Sequence, residues 1–307
     1  MLTGLTSKCG GQSVTPNCQS DVGKIETLLL KRAEDAFVDQ SFIDKQWQKL
    51  GFTSKPDFNT AVAEYHGFVE IINQFGIEII FAPFDKSTGL DSIYVRDSSI
   101  VCTKGIILCN MGKRARAFEP AACLPVFKSL ELPVVGSITG EAKVEGGDIV
   151  WLNDRTLAVA EGYRTNAQGI EQLRELLGDC IDNLIVVPSP HWNGPDDVFH
   201  LMSTYSPIDT DLSLVYSPLL TVPFRNLLLE MGKKLIEVPH EEFQSMGCNV
   251  LTISPRQCVM LEGNPITRRK LEEAGVEVHA YKGTEISSKG CGGPTCLTRP
   301  LIRSKLN

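Results

Sequence analysis

Near the C-terminus, Gly290-Cys291-Gly292-Gly293-Pro294-Thr295-Cys296 sets a cysteine behind a Gly-Gly-Pro turn. Glycine has no Cβ, so the backbone can approach a ligand there and the Cys296 thiol can meet it directly. Three upstream segments carry acidic or imidazole groups: Val95-Arg96-Asp97, Val144-Glu145-Gly146-Gly147-Asp148 and Val198-Phe199-His200-Leu201-Met202. Asp97, Asp148, His200, Asn249 and Cys296 follow one another at intervals of 51, 52, 49 and 47 residues. A thiol with an imidazole is the equipment of covalent attack assisted by proton transfer. Carboxylates alongside them suit a cationic substrate.

The near-regular interval points to a repeated structural unit that must carry these groups. Asp97, Asp148 and Asn249 each begin an apolar or β-branched run that ends at a glycine, Gly112, Gly162 or Gly263, 15, 14 and 14 residues on. Arg114 and Arg116, Arg164, and Arg268 follow those glycines, and a helix-like stretch comes next; the His200 unit lacks the glycine. Strands are expected at Ile25 to Lys31, Ile77 to Ala82, Ser92 to Asp97, Leu132 to Val135, Leu184 to Val187, Leu201 to Tyr205, Leu212 to Tyr216 and Val276 to Ala280. Hairpins are expected from Ser99 to Cys109, from Asp148 to Ala160 and from Val250 to Leu261. Helical spacing marks Ala36 to Leu50, Phe58 to Phe75, Phe118 to Leu130, Ala167 to Leu177, Phe224 to Met231 and Pro265 to Ala274. The order is β-β-α-β, repeated, with mixed pairing.

With 307 residues, 42% hydrophobic and 22% charged, the chain has the make-up of a soluble globular protein with a sizeable core. No Pro/Gly/Ser-rich linker divides it, so residues 23–307 read as one domain after a loose, polar segment over residues 1–22. The net charge of −7 argues against a nucleic-acid partner. No apolar run is long enough for a membrane span and no leader is evident, so no membrane partner is expected. Cys102, Cys109, Cys248 and Cys258 lie in or beside apolar strand-like runs, which fits a reduced, cytoplasmic setting; Cys9 and Cys18 would pair only in an exported protein. Cys291 and Cys296 lack a second ligand pair at zinc spacing, so no metal and no cofactor are expected.

From about Ile25 to Ile302 the chain resembles the pentein superfamily of guanidino-group-modifying enzymes. Asp91-Ser92-Ile93-Tyr94-Val95-Arg96-Asp97 resembles a segment of the dimethylarginine dimethylaminohydrolases, and its Arg96-Asp97 is similar to arginine deiminases. Glu145-Gly146-Gly147-Asp148 is similar to both families, and Tyr163-Arg164-Thr165-Asn166 with Gly169 resembles the dimethylarginine enzymes. His200-Leu201 and the Cys296 segment complete the set. Two positions depart. Met202 stands where deiminases carry an aspartate that grips the unsubstituted guanidinium, and Arg299 fits neither pattern.

The resemblance implies an α/β propeller of five ββαβ-like units with pseudo-fivefold symmetry and the site in its central channel. It implies a hydrolase acting on the guanidino group of arginine or an N-substituted arginine, giving citrulline and an amine through a covalent thiouronium. Cys296 is the expected nucleophile, His200 the acid and base, and Glu145 its orienting carboxylate. Asp97 is expected to hold the guanidinium, Asp91 the amino-acid part, and Arg164 and Arg116 the substrate carboxylate; Asp148 is expected to be structural. The expected partner is therefore a small cationic guanidino compound, with a homo-oligomer left as an option. An amidinotransferase would use the same cysteine and histidine. A non-enzymatic pentein-fold binding protein would need neither, and a cysteine peptidase would not need the carboxylates.

Overall fold

Short apolar runs that turn back on themselves dominate the chain, and pairing satisfies their backbone polar groups. The computed structural model describes residues 17–197 and 199–306. Its strands are β1 (Ile25–Leu30), β2 (Glu78–Phe81), β3 (Ser99–Cys102), β4 (Gly105–Leu108), β5 (Val134–Ser137), β6 (Ile149–Asn153), β7 (Thr156–Glu161) and β8 (Asn183–Pro188). They continue as β9 (Tyr205–Pro207), β10 (Leu212–Val215), β11 (Lys234–Glu237), β12 (Leu251–Ser254), β13 (Gln257–Leu261), β14 (Glu277–Tyr281) and β15 (Arg299–Arg303).

These form five three-stranded sheets of one pattern: β3-β4-β5, β6-β7-β8, β9-β10-β11, β12-β13-β14 and β15-β1-β2. In each, the first two strands pair antiparallel and the third joins parallel. The parallel step needs a crossover, and in each sheet a helix of nine residues or more supplies or dominates it: Phe58–Asn73, Glu119–Ser129, Ala167–Leu177 and Val222–Glu230 in four of them. Pro265–Glu273 serves the fifth. The mixed α/β architecture of five repeated units is thus the one expected. In the last sheet the first strand comes from the C-terminal end of the chain, so β15 pairs with β1.

Burial falls across each sheet. β3, β4, β9 and β10 are wholly buried, whereas β2, β5 and β11 are half-exposed. The first strand of every sheet is a sheet edge, yet it lies inside the protein. Helices pack over the middle strands. Ala167–Leu177 buries Ile170, Leu173 and Leu177, at helical spacing, against Ile107, Trp151, Leu157 and Val159. Asn166 caps this helix by accepting from the Gly169 N–H at 2.8 Å. Cys102, Cys109, Cys248 and Cys258 are core side chains.

Several local expectations change. Ser92 to Asp97 is two 3₁₀ turns, Leu90–Ile93 and Val95–Ser98, rather than a strand. The turns let Arg96 reach Asp21 while Asp97 reaches Arg116, directions that a flat ladder would not allow. Leu201–Ser203 is likewise a 3₁₀ turn, with the strand beginning at Tyr205. The helix expected from Ala36 to Leu50 is split into Ala33–Phe37 and Gln40–Gln46 at Val38, whose φ is 62°, and Asp39 caps the second piece. The segment expected to be loose is anchored over residues 17–22: Asp21 is bonded to Arg96 and to the Trp151 N–H, and Gln19 to three backbone groups. Cys9 and the rest of residues 1–16 lie outside the described residues. Among the described residues, no helix is long and apolar enough to cross a membrane.

Candidate active site

The turn that leads into the first strand of each sheet carries one of the spaced polar groups. Asp97 lies in the turn before β3, Asp148 in the turn before β6 with Glu145 just ahead of it, and His200 at the start of the turn before β9. Asn249 precedes β12 and Cys296 precedes β15. Because the five sheets repeat one topology, groups about fifty residues apart in sequence arrive at the same end of their strands. Asp91, Asp97, Arg116, Arg164, His200 and Cys296 line one small pocket, while Glu145 is fully buried behind His200.

His200 Nε2 lies 2.8 Å from Glu145 Oε2, which leaves Nδ1 as the free ring nitrogen, 3.9 Å from Asp97 Oδ1. Asp148 accepts from the Leu201 N–H at 3.2 Å and so steadies the turn that carries His200, the structural part expected of it. Arg164 Nη1 donates to Glu145 Oε2 at 3.1 Å, and its Nη2 to the Asp197 carbonyl. Gly147 makes this closeness possible. A Cβ there would sit 2.7 Å from His200 Cγ and 2.8 Å from Asp97 Oδ1, and closer still to Nδ1.

Burial lowers the His200 pKa, but Asp97, Asp148 and the bonded Glu145 outweigh it and lift the imidazole to about 9. Burial raises Glu145, but His200, Arg164 and Arg116 overcome it and hold the carboxyl below its ordinary range. At neutral pH the pair is therefore imidazolium and carboxylate. Burial, then Asp97, pushes the Cys296 thiol up to about 11. Thr295, the Gly293 N–H and Asn249 work the other way, and the Asn249 amide lies 3.5 Å from Sγ. At neutral pH Cys296 is therefore a thiol.

Asp97 has two unlike oxygens. Oδ2 accepts from Arg116 Nη1 at 2.6 Å, whereas Oδ1 is buried without a hydrogen-bond partner among the described residues. An orphaned carboxylate oxygen is costly unless something arrives to use it. Asp97, Glu145 and His200 bring ligand-type atoms within 4.8 Å of one another.

Two of the side chains singled out from the sequence are engaged within the protein. Arg116, expected to hold the substrate carboxylate, lines the pocket with its fork bonded to Glu119, Asp97 and the Asp91 and Tyr94 carbonyls. Met202 does not line the pocket; its sulfur lies 3.2 Å from Arg96 Nη2. Arg299, which matched neither family pattern, is a buried prop that donates to the Arg96 carbonyl. Sequence reasoning missed Lys113, whose ammonium lies 2.6 Å from Asp91 and whose backbone N–H donates to Glu145 Oε1 at 3.0 Å. Lys113 follows Gly112, and that position after the repeat glycine was the available signal. Asn249 was visible as a member of the spaced series, but not as a partner of the thiol.

Five repeated sheets and a buried cysteine, histidine and carboxylate set are the mark of a guanidino-group-modifying enzyme of the pentein type. Residues 35–303 match the family described as N,N dimethylarginine dimethylhydrolase, eukaryotic, and the chain belongs to that family. A curated relative, arginine deiminase of Listeria welshimeri, is 26% identical over 256 residues, 69% of this chain and 62% of the relative, so this chain spans under two thirds of that protein. Among solved structures, a mutant of the DDAH from Pseudomonas aeruginosa complexed with citrulline superposes with a TM-score of 0.72 at 22% identity, covering 90% of this chain and 98% of that one. SxtG, an amidinotransferase from Microseira wollei in the saxitoxin biosynthetic pathway, superposes at 0.77 with 16% identity, over 95% and 98%. At these identities the two structures establish the shared fold.

Proposed function

We propose that the chain hydrolyses the guanidino group of arginine or an N-substituted arginine, releasing citrulline and an amine. The observation that carries this reading is Asp97 Oδ1: a buried, unpartnered carboxylate oxygen in the pocket that holds Cys296, 3.9 Å from the free nitrogen of His200. A guanidinium N–H seated on Oδ1 satisfies that oxygen and sets the guanidinium carbon before Sγ.

The arriving cation favours the Cys296 thiolate, and the thiol proton leaves to solvent. Sγ then bonds to the guanidinium carbon and forms a tetrahedral adduct. The C–N bond to the leaving amine breaks as the His200 imidazolium supplies the proton that amine needs, and a covalent thiouronium remains. Neutral His200 next takes a proton from water as its oxygen bonds to the same carbon. The C–S bond breaks, Sγ departs with the electron pair, and the ureido product is released. Glu145 orients His200 and stabilises its charged form. Arg116 positions Asp97 and touches no substrate. Arg164 and Lys113 frame the place for the substrate carboxylate, and Asp91 that for its α-ammonium.

The test is colorimetric detection of ureido product from arginine and from N-methylated arginines, supplied separately, with Cys296→Ser as control. Product from methylated arginine that disappears in the variant supports a dimethylarginine hydrolase. Product from arginine alone places the chain with the deiminases. Absence of ureido product from every substrate overturns the hydrolase reading.

A further inference from the structure

The first strands of the sheets have a second end. The ends of β3, β6, β9 and β15 and the turns after them (Thr103 and Lys104, residues 153–155, Pro207 and Thr210, and residues 303–306) wall a cavity of about 760 Å³. That is the size of a small-molecule site, roughly 300–1,000 Å³. None of its lining residues belongs to the pocket that holds Cys296. Five basic side chains line it, Lys104, Arg155, Lys233, Arg303 and Lys305, against two carboxylates, Asp154 and Asp179. On a chain of formal charge −7, this is a local inversion of sign.

Part of that charge is neutralised at the rim, where Lys104 pairs with Asp179 and Arg155 with Asp182. Lys233 and Arg303 differ, being 6% and 2% exposed. The carboxylates whose charge acts on Lys233, Asp209 and Asp211, are both bonded to Arg256, at 2.9 and 2.7 Å. Arg303 gives Nη1 to the Gly23 carbonyl, while its Nε is buried with no partner among the described residues. Behind it, Arg96 and Arg299 are also buried with unpartnered Nε groups. Across the three guanidiniums, Asp21 is the one carboxylate bonded among the described residues. Burial lowers the pKa of Lys233, Arg303 and Arg299, the signature of positive charge held without enough countercharge. Apolar wall is supplied by Val22, Trp151 and Met231.

We propose that this cavity binds a small organic anion, with a doubly charged head of the phosphate-ester type between Lys233 and Arg303 and an apolar body against Trp151 and Met231. The head supplies the missing countercharge and accepts from donors that are otherwise unpaired. The site is independent of the catalytic pocket and stands whether or not the hydrolase reading holds.

The test is isothermal titration and thermal melting of the full chain with phenyl phosphate and with inorganic phosphate. Saturable binding of phenyl phosphate, with a raised melting point and an affinity at least tenfold weaker in Lys233→Met, is expected. Inorganic phosphate should bind more weakly, because it lacks the apolar body. Cys296→Ser should bind as the unaltered protein does. Arg303→Met removes a buried guanidinium and can compromise folding, so Lys233→Met is the deciding variant. Absence of saturable binding, an affinity unchanged in Lys233→Met, or displacement of phenyl phosphate by arginine overturns the proposal.

Discussion

Gly147→Ala concentrates the geometry of the catalytic pocket into one methyl group. The added carbon would meet His200 Cγ at 2.7 Å and Asp97 Oδ1 at 2.8 Å, distances real Cβ atoms essentially never show. Neither neighbour can yield cheaply. The imidazole is held by Glu145 at 2.8 Å, and Asp97 by Arg116 at 2.6 Å. Overpacking costs about 1–3 kcal/mol and loss of one charged hydrogen bond about 1.5–3 kcal/mol, so the variant should lose roughly 3–6 kcal/mol of stability. A displacement of His200 by about 1 Å should lower turnover on the order of a hundredfold even in protein that remains folded. Urea unfolding and ureido-product formation, read on the same preparations, measure both. Gly67→Ala is the matched control: Gly67 lies within the helix Phe58–Asn73 and a Cβ there meets nothing within 4 Å. It should gain about 0.5–1 kcal/mol and keep its turnover. A Gly147→Ala protein with the unaltered protein's unfolding midpoint and rate would refute the packed His200–Gly147–Asp97 arrangement.

Three further outcomes follow from the same site. His200 is raised from 6.5 to about 9, so the stability linked to its charge is fully present below pH 6.5 and is lost as pH rises through about 9. That loss is on the order of 3 kcal/mol, and His200→Asn should abolish this part of the pH dependence in urea titrations. Asp97→Asn should lower kcat/KM at least tenfold by removing the proposed charged contact to the substrate. It should also move iodoacetamide alkylation of Cys296 to lower pH, because Asp97 raises the thiol pKa; an unmoved alkylation profile would count against their proximity. Asn249→Ala should shift that profile the opposite way, since the Asn249 amide at 3.5 Å favours the thiolate. Mass spectrometry of the Cys296 peptide separates this signal from Cys291 alkylation.

Local spacing carried a large part of the architecture. The hairpins β3-β4, β6-β7 and β12-β13 and the helix Ala167–Leu177 are legible because alternation and helical periodicity act within a few residues. The recurrence of Asp97, Asp148, His200, Asn249 and Cys296 is legible for a related reason: in a repeated unit, equal spacing means equal position. That was enough to nominate a cysteine, a histidine and carboxylates for one site, and the fold gathers them there.

What the tertiary structure decided was pairing and direction. β15 escaped the sequence reading because its two arginines break the apolar pattern of a buried strand, and because its partner β1 lies at the other end of the chain. Arg116 and Arg164 both follow a repeat glycine within four residues, yet one turns inward to hold Asp97 and the other leans on Glu145 at the pocket wall. Lys113, rather than Arg116, reaches the Asp91 carboxylate. Such choices depend on which buried charge finds which countercharge across sheets that only the fold brings together. Burial makes an unpaired charge expensive, so the pairing is settled by three-dimensional proximity, which local spacing does not encode.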